Sequence, residues 1–143
     1  MYYKTTGILI FYGFLIAMLA CTRGTQPEPI DFGNDQCAYC RMTISDPQFG
    51  AELITDKGRI SKYDAAECLV NYINESSPTY SQLYAVAYDQ PKSLKPVGEL
   101  HFVISSDFRS PMGANLVAFS DSTQLDQKYQ SQIIDWNTLL ETL

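Results

Sequence analysis

Histidine is almost absent: His101 is the only one in 143 residues. Structural zinc is usually held by four closed Cys and His ligands. With one histidine and no second Cys-x-x-Cys beyond Cys37 and Cys40, such a site is countable only as Cys37, Cys40, Cys68 and His101, brought in from distant elements. No acid–base pair stands near the cysteines, so the chain is read as a protein that does no catalysis. A basic block of the kind that grips phosphates is also missing, which speaks against nucleic-acid binding. The balance is acidic instead, ten Lys and Arg against sixteen Asp and Glu, a net charge of −6. Net charge of this kind suits a soluble domain and says little about fold.

No apolar run reaches the roughly 20 residues of a spanning helix. The run over residues 8–20, preceded by Lys4, has the size of a signal-peptide h-region. Met18-Leu19-Ala20-Cys21 resembles a bacterial lipobox, with Met18 in place of the usual Leu. The expectation is therefore a leader over residues 1–20, lipid on Cys21, and a periplasm-facing lipoprotein of the cell envelope. Residues 22–34 carry Gly24, Pro27, Pro29 and Gly33 among polar residues and read, with Cys21, as a flexible tether. The folded domain is expected over residues 35–143, ample for one core.

Residues 49–55 read as a strand, Asp56-Lys57-Gly58 as a turn, and residues 59–63 as the returning strand. Asp64 and Glu67 have the spacing of a capping box, opening a helix that ends near Glu75. Ala65, Cys68, Leu69, Tyr72 and Ile73 share one helical face. Residues 83–88 suit a buried strand. A similar unit follows: strands over 100–105 and 115–119, a helix from Asp121 or Ser122 to Gln130 with Leu125 and Tyr129 inward, and an apolar closing segment at 133–136 before a short helical tail. The chain is thus read as α+β, in two β-β-α-β halves.

The chemistry lies in sulfur. Cys37-Ala38-Tyr39-Cys40-Arg41-Met42 places two thiols and a thioether within six residues. With Cys21 acylated, three cysteines remain, an odd count that argues against a simple disulfide framework. A Cys-x-x-Cys can bind zinc, cycle redox or bind a soft metal. Thioredoxin-type chemistry sets the pair at a helix N-terminus after a strand, whereas here it follows the tether; an envelope thiol–disulfide oxidoreductase stays as the alternative. Methionine weighs toward metal. Beyond the leader only Met42 and Met112 remain, neither inside an apolar stripe, and thioether with thiolate suits Cu(I). Pro111 and Gly113 would fix a tight turn presenting Met112, although a loop methionine can also pack under a neighbouring element. Cys68 reads first as a small buried hydrophobe on its helix face. His101 is an outside candidate for copper.

Asp35-x-Cys37-x-x-Cys40-x-Met42 resembles the Asp-x-Cys-x-x-Cys-Gly-Met motif of the NosL family, accessory lipoproteins of nitrous oxide reductase. Lys57-Gly58, Tyr63-Asp64 with Cys68-Leu69 and Tyr72, Pro111-Met112-Gly113, and Ala118-Phe119 extend the likeness over nearly the whole mature chain. Arg41 departs from it, since the family usually has Gly there, and Gly accepts a positive φ that Arg resists. The resemblance implies a copper chaperone that binds Cu(I) and delivers it for the reductase's copper-sulfide centre. Its partners would be a periplasmic maturation protein and an ABC transporter. It also implies a split-barrel-like fold, similar to that of organomercurial lyase, and Cys37, Cys40, Met42 and Met112 as Cu(I) candidates.

Overall fold

The computed structural model describes residues 26–143; the leader, the lipobox and Cys21 lie outside the described residues. Packing begins ahead of Asp35. Ile30 is buried in the core, and the Glu28 N–H donates to both carboxylate oxygens of Glu52, at 3.1 and 3.3 Å.

The first half follows the expected order. Strand β1 (Ala51–Ile54) is buried along its whole length. The turn at Gly58, φ +75°, leads into β2 (Ile60–Tyr63). Helix α1 (Ala66–Ser76) then crosses the sheet and buries Cys68, Leu69 and Val70. Ser77 ends it in the left-handed region, with its N–H on the Ile73 carbonyl, and Pro78 prevents continuation. Strand β3 (Gln82–Ala87) pairs antiparallel with β1, Leu53 opposite Leu83.

A strand that the sequence pattern conceals completes the sheet. β4 (Gln90–Pro96) pairs antiparallel with β3 and gives the order β2-β1-β3-β4. Its sequence, Gln-Pro-Lys-Ser-Leu-Lys-Pro, reads as loop. It sits at an edge, where proline and lysine are tolerated because one side of the backbone needs no partner.

The second half has β5 (His101–Ile104) and β6 (Leu116–Phe119) as an antiparallel pair. The expected helix after β6 is two 3-10 segments, Ser122–Gln124 and Gln127–Gln132. Asp121 accepts from the Thr123 N–H and Asp126 from the Lys128 N–H. Each side chain restarts the chain locally, and such bonds compete with a continuous helix. Leu125 and Tyr129 are nonetheless buried, as the spacing requires. The closing segment is a single bridge, Ile134 exchanging both backbone bonds with Phe102 at 2.9 and 3.0 Å. Asp135 then caps α2 (Trp136–Thr142) through the Thr138 N–H. The molecule is α+β and split-barrel-like, with antiparallel sheets that do not close. The sheets meet where the Tyr88 N–H donates to the Ala118 carbonyl at 2.7 Å. Beside this seam Phe49, Tyr88, Phe108, Phe119 and Tyr129 form a chain of ring contacts with centroids 5.2–6.1 Å apart, the kind of aromatic packing that adds to simple area burial. Among the described residues no helix is long and apolar enough to cross a membrane.

Candidate metal centre

Residues 37–42 form a compact loop closed at its base by an antiparallel bridge between Gln36 and Thr43. The Cys37 N–H donates to the Met42 carbonyl at 2.8 Å and the Arg41 N–H to the Cys37 carbonyl at 3.1 Å. Arg41 takes φ +67° to allow this. It adopts the conformation for which glycine is the default residue, so Arg41 alters the strain of the turn while the turn itself is kept. Two ties dock the loop: the Ala38 N–H on the Lys62 carbonyl at 2.8 Å, and the Tyr39 hydroxyl on Glu75 Oε1 at 2.6 Å. The Asp35–Lys62 ion pair, 2.7 Å, braces its approach.

The loop is thereby pressed onto the first turn of α1, where the third cysteine waits. The Sγ atoms of Cys37, Cys40 and Cys68 all lie within 4.8 Å of one another. All three are free thiols. Cys37 and Cys68 are fully buried and Cys40 is half-buried. The hydrogen bond from the Cys68 thiol draws the Cys37 thiol down to about 4, helped by the backbone N–H groups of Asp64, Cys40 and Tyr39 and opposed by burial. Cys68 moves the other way, because it gives that hydrogen bond and is buried. Burial, above all, raises Cys40. Protons of such a group belong to the set as a whole. Within the set, negative charge is favoured on Cys37 over Cys40 and Cys68. The site at which it sits, an opening helical turn, favours negative charge.

The expected capping box is not formed. Ala65 is the N-cap of α1 and offers no side-chain bond. Asp64 lies just before it, buried, its carboxyl raised to about 6 mainly by that burial, while its backbone N–H serves the Cys37 sulfur. The Glu67 carboxylate turns away from the helix end to Ser110 and Met112.

Of the candidate residues, Cys37 and Cys40 come together, and Cys68 joins them. Met42 and Met112 are two of the four large hydrophobic residues exposed among those described, 56% and 40%. Met112 lies in the expected turn, closed by the Gly113 N–H on the Ser110 carbonyl at 3.0 Å with Gly113 at φ +83°. His101 sits on β5 opposite Phe119 and is not part of the thiol cluster. Cys68 reads more as packing than chemistry in the sequence because its spacing already explains its burial. The signals that point to it are the odd cysteine count and its place three residues beyond the N-cap, since the first turn of a helix is where thiolates are stabilised.

Fold and site together define a split-barrel-like α+β domain organised around a cluster of soft sulfur donors. The family model described as NosL matches residues 29–132, and the chain belongs to the NosL family. The crystal structure of the copper chaperone NosL from Shewanella denitrificans is similar with a TM-score of 0.69 at 16% sequence identity, over 80% of this chain and 95% of that chain. At that identity the likeness concerns the fold. No curated protein matches the sequence.

Proposed function

We propose that this protein is a Cu(I)-binding metallochaperone lipoprotein of the cell envelope, without catalytic activity. The convergence of the Cys37, Cys40 and Cys68 sulfurs within 4.8 Å carries this reading. Three soft donors at that spacing suit Cu(I), which thiolate and thioether ligands select. Membership of the NosL family and the fold shared with a copper chaperone support it. Cys37 and Cys40 form the heart of the site, Cys68 supplies a third thiol, and the exposed thioethers of Met42 and Met112 are further ligands available during capture and release. A carrier needs two to four donors at once, so that a partner can displace them. Copper is the cargo. Its destination is the copper-sulfide centre of nitrous oxide reductase, reached with a periplasmic maturation protein and an ABC transporter. Lipid on Cys21 holds the domain at the membrane, facing the periplasm.

Anaerobic competition with a chromogenic Cu(I) chelator tests the central claim. One equivalent of Cu(I) is expected to bind, and Cys37→Ser with Cys40→Ser to weaken it by more than about 100-fold, beyond the loss of an outer support. Affinity unchanged by that pair of substitutions overturns the reading.

The lowered Cys37 thiol favours one second reading, an envelope thiol–disulfide oxidoreductase. The complete burial of Cys37 opposes it, because exchange needs an accessible sulfur. An oxidoreductase would keep its disulfide-reductase activity with Met42→Leu and Met112→Leu, whereas a Cu(I) carrier using those sulfurs would lose affinity.

A further inference from the structure

Glu67 is 1% exposed, an unusual place for a carboxylate in the first turn of a helix. At that position an acidic side chain ordinarily faces solvent or folds back to the cap, where the helix dipole favours it. Glu67 does neither. Its Oε2 accepts from the Ser110 hydroxyl at 2.9 Å and its Oε1 from the Met112 backbone N–H at 2.7 Å. Ser110 in turn accepts from the Leu116 N–H at the start of β6, 3.3 Å. Burying a carboxylate is costly unless hydrogen bonds replace its water; these bonds, with a further one from the Ala114 backbone N–H, come from the Pro111-Met112-Gly113 turn and the residues flanking it. The turn would close without Glu67, through its own Ser110–Gly113 bond. What Glu67 adds is its attachment to the helix turn that carries Cys68. The result is a methionine whose backbone is fastened and whose side chain is exposed.

We propose that Glu67 is a positioning residue for the Cu(I) site, holding the Met112 thioether at the end of α1 from which Cys68 reaches the thiol cluster. This rests on the Cu(I)-carrier reading above. Glu67 touches no metal; it acts through Met112. The two halves of the domain are joined at the site by this carboxylate, one half supplying the thiols and the other the thioether.

A double-mutant cycle on the full chain tests it, read as the rate at which Cu(I) passes from the protein to an excess of chelator. Glu67→Ala and Met112→Leu are each expected to speed release about tenfold, the scale of losing one outer support of a metal ligand. The double variant is expected to release no faster than either single one, because both remove the same contribution. Glu67→Gln is expected to release more slowly than Glu67→Ala, because its amide oxygen can still accept from the Met112 N–H. That rescue separates geometry from charge. Ser110→Ala, which removes one of the bonds to Glu67, replaces Glu67→Ala if the latter does not fold, and its effect should likewise vanish in the Met112→Leu background. Multiplying effects of the two substitutions, a Glu67→Gln as fast as Glu67→Ala, or a Met112→Leu without effect each overturns the proposal. Failure of the unmodified protein to bind Cu(I) overturns the carrier reading instead.

Discussion

Single residues decide how the thiol loop is held. Arg41 is the clearest case, an L-residue at φ +67° in the turn that brings Cys40 back toward Cys37. The left-handed region costs an L-residue roughly 1–2 kcal/mol, part of which a glycine gives back as freedom in the unfolded chain. Arg41→Gly is therefore expected to stabilise the metal-free protein by about 0.5–1 kcal/mol in urea unfolding, and loss of stability would show that the Arg41 side chain contributes more than its backbone costs. The residue was legible as a departure from a glycine position, and the structure supplies the physical reason that glycine belongs there. Cys68 was legible first as a buried helix residue and only second as a ligand. Burial and chemistry use the same face here, so periodicity could not separate them. The sulfur of Cys68 gains its neighbours from a loop far back in the chain, a contact that no local pattern encodes.

Among the elements, the buried strands and α1 were readable because each presents a consistent apolar period. β4 was not, since an edge strand can carry two prolines and two lysines that in isolation signal loop. The helix expected after β6 was displaced by two aspartates whose side chains cap their own next turn. The capping box failed for a related reason, that a carboxylate goes to whichever unpaired N–H the folded chain brings nearest. β1 offers a testable case of such a carboxylate. Glu52 stands fully buried between Lys62 of β2 and Tyr84 of β3 in register, and accepts from the Glu28 N–H of the leading segment. Burial raises its carboxyl from 4.5 to about 7. A group whose folded value is raised contributes stability in full below its unfolded value, and that contribution is lost as pH rises through the folded one. The neutral acid is thus most favourable below 4.5 and its advantage is gone above about 7. Glu52→Gln, which keeps an acceptor for Glu28, is expected to gain about 3 kcal/mol over the native protein at pH 8 and little at pH 4. Urea unfolding at both values checks this, and the difference between the two proteins isolates Glu52 from other titrations. An equal offset at both pH values would mean that Glu52 is not the group responsible.

At the scale of the whole molecule, the thiol cluster joins parts that the chain keeps separate. Cys37 and Cys40 come from a loop before the sheet, Cys68 from a helix that crosses it. A ligand that engages both binds the folded state alone, and its binding energy adds to folding stability. Cu(I) at about 1,000 times its dissociation constant would add about 4 kcal/mol. For a domain of this size that means a rise of roughly 10 °C or more in the unfolding midpoint. Thermal unfolding under anaerobic conditions, with and without one equivalent of Cu(I), measures it. Cys68→Ser is expected to remove much of the increment while leaving the metal-free midpoint within a few degrees; an undiminished increment would place Cu(I) on the Cys37–Cys40 loop alone.

On the Cu(I)-carrier reading, the same bracing makes the hand-over of cargo an event the donor itself undergoes. While loaded, loop and helix are stapled by the ion. Once it leaves, the Tyr39–Glu75 tie, the Ala38 bond to β2, the Asp64 N–H on the Cys37 sulfur, the bonds among the sulfurs and the packing of the loop on the core keep them in place. On that reading an emptied domain is the looser of the two forms, and the one in which a protease would more readily obtain a foothold. Loading would then show as resistance to digestion: limited proteolysis is expected to cut the metal-free form faster than the Cu(I)-loaded one.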